Sequence, residues 1–409
     1  MTAISKDTKH AVAAATAAFL LAVLFDLSTN SLDTERFSWD FRYYVAMAEH
    51  GLTAPMASPF AYRFLTPMLA GALSRLFQMP TVGGFMALAY FGAVLQQLAV
   101  FLFTRWYTRS QRGAWFAMLA TAFSLFNVKF LLFDPFRPDH LAYALILLQA
   151  YFALTRRFAA LLLTTIAGCQ IREFNVIPLL AYLCMSMTAL LPSSDARSRR
   201  KAAVELLISL VGLAAALVLP RLLIPIEENF QFVSLSRDGM LRVVLAPFIP
   251  ARDANFIYSL AAYLLPLLIL ASPGELVTAV RRIPPADRNF LGAYCAFVLI
   301  FSFLGGTDFY RFATYLLLPQ SILAGTLAAR RTKLTLLLVL AGVFIFNRLW
   351  LPFPMHDLES YLDFYGGSGT RFSAASGWRI LELGALVGAG ALFRRWSQLD
   401  DGLRRQGLA

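Results

Sequence analysis

Charged side chains are scarce in this 409-residue sequence: Asp, Glu, Lys and Arg make up 15% of it, against roughly 25% in soluble domains. With 58% of residues hydrophobic, too little polar surface is left to wrap a water-soluble globule. Histidines number four (His10, His50, His140, His356) and are scattered without metal-ligand spacing. There is no glycine-rich phosphate loop and no paired-histidine helix, so nothing marks a nucleotide or zinc enzyme. The three cysteines, Cys169, Cys184 and Cys295, fall inside or at the ends of apolar runs. They read as small buried side chains and exclude a disulfide framework. Mid-run polar residues are uncharged, as at Gln96, Gln97 and Gln149, which leaves no acid relay of the kind proton-driven transporters use.

What is present is a series of long apolar runs, among them 11–27, 85–103, 114–133 and 203–219, near the ~20 residues needed to cross a hydrocarbon core. The pattern predicts an all-α polytopic integral membrane protein, a single transmembrane domain over 1–409 with no separate soluble domain. About twelve spans are expected, at 11–27, 82–104, 114–133, 140–154, 158–171, 176–191, 203–223, 257–272, 290–304, 312–328, 334–350 and 378–393. The first is longer than a signal h-region and lacks a small-residue cleavage site after it, so it is expected to be retained. The spans at 140–154 and 158–171 are short for a straight crossing.

The net charge of +12 suggests nucleic acid until its placement is considered. On one side of the predicted spans lie 21 of the 36 basic residues, including Lys6, Arg109, Arg199 and Arg331, against seven acids. The other face and the span ends hold 15 basic residues and 17 acids. The positive-inside rule makes the first side cytoplasmic, with both termini inside, and no nucleic-acid partner is expected. The segment 62–77 is apolar, yet counting it as a span would invert every later loop. It is expected to be a surface or re-entrant helix that Pro59 starts and that carries Pro67.

The long loops 28–81, 224–256 and 351–378 then fall outside. The first contains FSWDFRYYVAMAEHG at 37–51, where Trp39, Tyr43, Met47 and His50 recur at helical spacing. Ser38 or Asp40 can cap that amphipathic helix and Gly51 can stop it. Asp40 is either that cap or a carboxylate at the bundle mouth able to take a proton. SPFAYRFLTPML at 58–69 adds Tyr62 and Arg63. FDPFRPDHL at 133–141 gathers Asp134, Arg137, Asp139 and His140, with Asp139 also suited to capping. QIREFN at 170–175 sets Arg172 and Glu173 in an apolar stretch, and GGTDFYR at 305–311 sets Asp308 before Arg311. Ionisable groups at such depth are expensive unless they pair or line a polar cavity. Each pair has a purely structural reading, Arg172 with Glu173 and Asp308 with Arg311. The alternative is an anionic group held by guanidinium forks while an acid handles a proton. Outer carboxylates could also hold a divalent cation.

A retained first span, a long outer loop opening on a carboxylate-bearing amphipathic helix, a proline-containing re-entrant helix, a basic inner loop and an acid between the third and fourth spans: this order resembles the GT-C superfamily. Those are polytopic membrane glycosyltransferases dependent on polyprenyl-phosphate sugars. The resemblance implies an enzyme of the cytoplasmic (inner) membrane of the cell envelope, with its site on the outer, periplasmic face. Its donor would be a polyprenyl-phosphate sugar and its acceptor a glycan, lipid or protein hydroxyl. It also implies Asp40 as catalytic base, with Asp139 and Asp134 shaping the site, and Arg172, Arg311 and Arg63 holding the lipid phosphate. Glu173, Asp308, Tyr43, Tyr62, Arg137 and His140 would line the substrates. One departure is that many family members place paired acids directly after the first span, whereas here Asp33, Glu35 and Asp40 are spread out. A lipid-linked saccharide polymerase or ligase, or a lipid or saccharide transporter or flippase, would use outer arginines similarly.

Overall fold

The structure is a computed structural model that describes residues 6–30, 40–53, 56–58, 60–190, 196–229, 250–304, 309–352 and 374–405. Helices follow in the order α1 (Lys6–Asp26), α2 (Phe41–His50), α3 (Leu65–Phe77), α4 (Thr81–Thr108), α5 (Gln111–Ala122), α6 (Lys129–Phe133), α7 (Asp139–Leu154), α8 (Phe158–Cys169), α9 (Ile177–Leu190) and α10 (Ala196–Leu223). After these come α11 (Pro250–Tyr263), α12 (Leu265–Leu270), α13 (Pro273–Arg281), α14 (Pro285–Leu304), α15 (Phe309–Ala313), α16 (Leu317–Ala328), α17 (Lys333–Phe346) and α18 (Ala374–Arg405). Among the described residues the fold is all-α apart from a two-stranded parallel ribbon, β1 (Met56–Ser58) beside β2 (Ile226–Asn229), whose strands are too short to show alternation in the sequence.

Among the described residues, four helices are long and apolar enough to cross a membrane: Asp7–Asp26, Thr81–Thr108, Arg199–Val218 and Pro285–Leu304. Shorter apolar helices, Asp139–Leu154, Phe158–Cys169, Glu173–Thr188 and Lys333–Phe346, accompany them. Their exposed leucines, valines and isoleucines, such as Leu20, Leu24, Leu210, Val211 and Ile300, form the surface of a membrane protein.

Helix occupies every predicted span, but three of those segments are broken. The run 114–133 ends its first helix at Ala122; Ser124 turns to extended backbone and Leu125–Asn127 forms a 3-10 turn before α6. Ser and Asn compete with the helix ladder, and Asn127 accepts a bond from Gln96 at 2.6 Å. The run 257–272 begins earlier, at Pro250, and breaks between α11 and α12 because Pro266 has no N–H to offer the carbonyl of Ala262. The run 312–328 begins at Phe309 and passes through a 3-10 turn at Thr314–Leu316. Pro319 cannot bond the carbonyl of Tyr315, and Tyr294 Oη donates to that oxygen instead, at 2.6 Å. The same repair operates inside α10. Pro220 frees the carbonyl of Ala216, and Gln170 Nε2 donates to it at 2.9 Å. In an apolar surrounding, neighbouring helices must supply such donors, since no water can.

The amphipathic helix expected over 37–51 is α2, stopped at Gly51 with φ 72°, and the one expected over 62–77 is α3. α2 lies tightly on α3, and α3 in turn on α4. A Cβ at Gly71 would sit 2.2 Å from the carbonyl oxygen of Ala48, and one at Gly84 would sit 2.3 Å from that of Ala70. The segment between α2 and α3 is tied down twice, by the β1–β2 ribbon and by the Leu65 N–H donating to the carbonyl of Gln170 at 3.1 Å. At the opposite end of α4, Gly113 of α5 and Gly325 of α16 meet with equal intimacy, a Cβ at Gly113 falling 2.2 Å from the Gly325 oxygen. Small residues allow this approach of backbones where lipid supplies no hydrophobic drive.

Gly113→Leu should therefore force α5 and α16 apart and lower the melting temperature of the purified protein by several degrees. Gly292→Ala, where nothing lies within 4 Å of the new methyl, should leave it unchanged. Equal stability of the two variants would show that the close contact does not hold the bundle.

Candidate functional site

Five of the acid- and arginine-bearing segments converge on one end of the bundle. The extended backbone at Arg172 (φ −160°, ψ 136°) sends neighbouring side chains to opposite sides, so Arg172 and Glu173 do not pair. Each takes a distant partner. Arg172 Nη1 lies 2.9 Å from Asp139 Oδ1 and 3.0 Å from Oδ2, with 2% and 0% of the two side chains exposed. Glu173 accepts two donors along one edge of Arg63, Nε at 3.0 Å and Nη2 at 2.5 Å, while Arg63 Nη1 donates to Tyr44 Oη at 3.3 Å.

Asp139 opens α7 and is the centre of a buried cluster. Arg311 Nε stands 4.0 Å from its Oδ2, and Tyr315 Oη donates to Oδ1 at 3.4 Å. The backbone of Arg311 is itself fixed, its carbonyl accepting from Tyr143 Oη at 3.2 Å and from Thr314 Oγ1. Beneath lies an aromatic stack in which Phe174 sits between Phe312 and Tyr315, with ring centroids 5.2 and 4.4 Å away.

A third ion pair links the first segment to this cluster. Arg137 Nε donates to the buried Asp134 at 2.6 Å, and Arg137 Nη1 reaches to 3.8 Å from Asp40. Burial pushes the Asp134 carboxyl above the usual carboxylate range, against the pull of Arg137. Asp40 does occupy the N-cap position of α2, yet its side chain makes no capping hydrogen bond and is 41% exposed. Capping does not account for it.

A cavity of about 650 Å³ brings these groups to a common surface. Its polar lining is Asp40, Arg63, Arg172, Glu173 and Arg311; its apolar lining includes Phe60, Leu213, Leu217, Phe301, Leu304 and Phe312. Three guanidinium groups thus face two carboxylates. Leu217 of α10 and Leu304 of α14 are each about half exposed on the lipid-facing surface, so the apolar wall runs from the arginines to the outside of the bundle.

Other residues singled out in the sequence stand off this cavity. Asp134 and Asp139 lie behind it, each engaged by an arginine. Tyr43 does not line it but stacks on Phe60, which does, with centroids 5.0 Å apart. Tyr62 packs in a separate small cluster with Met47, Met56 and Ile224. The ring of His140 is buried against Gly92 of α4. Asp308, Asp33, Glu35 and His356 lie outside the described residues. Among the described residues no three His, Cys, Asp or Glu side chains converge as a metal-binding set. The apolar wall, Tyr44 and Tyr315 had no signal in the sequence beyond being hydrophobic or aromatic like their neighbours. No protein-family model, curated protein or solved structure matches the chain.

Removing one partner of a buried ion pair leaves an uncompensated charge, at a cost of about 3–5 kcal/mol. Arg172→Gln should therefore lower stability markedly, and adding Asp139→Asn should restore most of the loss. Thermal unfolding of the single and double variants measures both. A double variant no more stable than Arg172→Gln alone would mean that the pair is not what places Arg172.

Proposed function

We propose that the chain is a membrane glycosyltransferase that moves a sugar from a polyprenyl-phosphate donor to an acceptor hydroxyl. The observation that carries this reading is the shared lining of one cavity: Arg63, Arg172, Arg311 and Asp40 together with a leucine and phenylalanine wall that continues to the lipid-facing surface. A ligand matched to both halves has an anionic head and a long apolar tail. The volume is within the range that holds a small molecule.

In the proposed reaction the acceptor oxygen bonds to the anomeric carbon as the bond from that carbon to the phosphate oxygen breaks. The lipid phosphate leaves with the bonding electrons and gains one negative charge. Guanidinium groups already fixed by Asp139 and Glu173 meet that charge without reorganising. The acceptor proton goes to a carboxylate. Asp40 is the best placed, since it lines the cavity and is held only loosely, 3.8 Å from Arg137, whereas Asp139 and Glu173 are clamped by arginines at hydrogen-bond distance. No nucleotide is consumed, in keeping with a sequence that has no phosphate loop.

The same reading includes twelve crossings of the inner membrane, both termini in the cytoplasm and the cavity on the periplasmic face. The supports are the helix found at each apolar segment and the 14-charge excess on the opposite side.

Asp40→Asn should reduce sugar transfer from a polyprenyl-phosphate hexose at least ~100-fold, in the range a general base contributes. Its melting temperature should stay unchanged, because no capping bond is lost. Near-normal turnover would move the base elsewhere, with Asp139 next. For topology, a cysteine replacing Thr53 should react with an impermeant maleimide in intact cells, and one replacing Arg199 should react only after lysis. Labelling of the Arg199 site from outside would overturn the orientation.

A further inference from the structure

The far end of the bundle holds a second set of concavities that the proposed transfer does not use. Asp139 opens α7 beside the arginine cavity and Leu154 closes it, about 22 Å away at the helical rise per residue. There, a cavity of about 400 Å³ is lined by Trp106, Tyr107, Arg109, Leu154, Arg282 and Asp287. A neighbouring one of about 390 Å³ shares Ala279, Arg282 and Thr326 with it and adds Glu275, Arg330 and Arg331. Trp106 also borders an apolar groove of about 350 Å³ between α4 and α7, whose walls include Leu98, Ala99, Leu102, Leu148 and Tyr151. Shared residues make the three continuous.

Their charges are not internally balanced. Arg331 bonds Glu275 at 2.5 Å, and Asp287 accepts from Tyr107 Oη at 3.0 Å. Among the described residues, the guanidinium groups of Arg109, Arg282 and Arg330 form no hydrogen bond or ion pair. Three uncommitted cations therefore stand at the end of an apolar groove whose Leu95, Leu102 and Leu148 are open to the lipid-facing surface. Trp106, Tyr107 and Tyr151 ring the junction, as aromatic residues do where a membrane meets water.

We propose that these surfaces form one binding site for an anionic phospholipid. The headgroup phosphate lies among Arg109, Arg282 and Arg330, and an acyl chain occupies the α4–α7 groove. Charge complementarity selects the head, and the groove selects a ligand with a tail. A soluble phosphate would use the arginines alone and leave the groove irrelevant. The site is independent of the glycosyltransferase reading, because none of its residues lines the arginine cavity.

The test is native mass spectrometry and thermal unfolding of the full-length protein, with dioleoyl phosphatidylglycerol, dioleoyl phosphatidylcholine or inorganic phosphate as probe. Phosphatidylglycerol should be retained at least ~5-fold more than phosphatidylcholine and should raise the melting temperature. Arg109→Gln, Arg282→Gln and Arg330→Gln together should abolish that preference. The charge-matched triple variant Arg199→Gln, Arg200→Gln, Lys201→Gln should keep it. Ala99→Phe, which fills the groove, should weaken phosphatidylglycerol retention while the protein melts normally in phosphatidylcholine. Equal retention of the two lipids by the wild type, equal loss in both triple variants, or protection by inorganic phosphate that Ala99→Phe leaves intact together with unchanged lipid retention would each overturn the proposal.

Discussion

A buried arginine facing a buried aspartate governs the end of this molecule that holds the arginine-lined cavity. Arg172 and Asp139 lie among apolar helices, where neither charge is tolerable alone. Because Asp139 is the first residue of α7 and Arg172 closes the turn after α8, their pairing sets the depth at which these helices end. Arg311 then approaches the same carboxylate from α15, so three chain segments are indexed to one acid. The cavity is the space left in front of that cluster, and its arginines are rigid because their own counter-charges are part of the fold.

Proline works alongside this pair. Pro220 and Pro319 remove ladder bonds that an apolar environment cannot leave open, and the side chains that replace them come from Gln170 and Tyr294. Gln170 stands two residues before Arg172, and the carbonyl repaired by Tyr294 belongs to Tyr315, whose hydroxyl reaches Asp139. Helix breaks and charge cluster therefore belong to one connected set of polar groups inside the bundle.

Much of this was legible in the sequence because it depends on local chemistry. Apolar runs announced the helices, and Asp40 and Gly51 bounded α2 as cap position and left-handed stop. The convergence of Asp40, Arg63, Arg172, Glu173 and Arg311 followed from having charges where charge is costly. The pairings were not legible. One of the two readings of Arg172 and Glu173 made them neighbours that neutralise each other, whereas one extended backbone angle sends them to Asp139 and Arg63. Nor could Leu213, Leu217 and Leu304 be told from leucines that only face lipid, since cavity wall and lipid surface demand the same apolar side chain. His140 and Tyr62 belonged to promising motifs, yet they pack against Gly92 and the small cluster around Met56.

The central claim is that the arginine cavity receives a lipid phosphate, with the tail along the α10 and α14 wall. Cryo-electron microscopy of the protein in nanodiscs with a polyprenyl-phosphate hexose tests it most directly. The account predicts phosphate density within hydrogen-bond reach of Arg172 or Arg311, the sugar beside Asp40, and the first isoprene units against Leu217 and Leu304. A well-defined donor bound elsewhere on the protein, with this cavity holding neither its phosphate nor its sugar, would contradict the account.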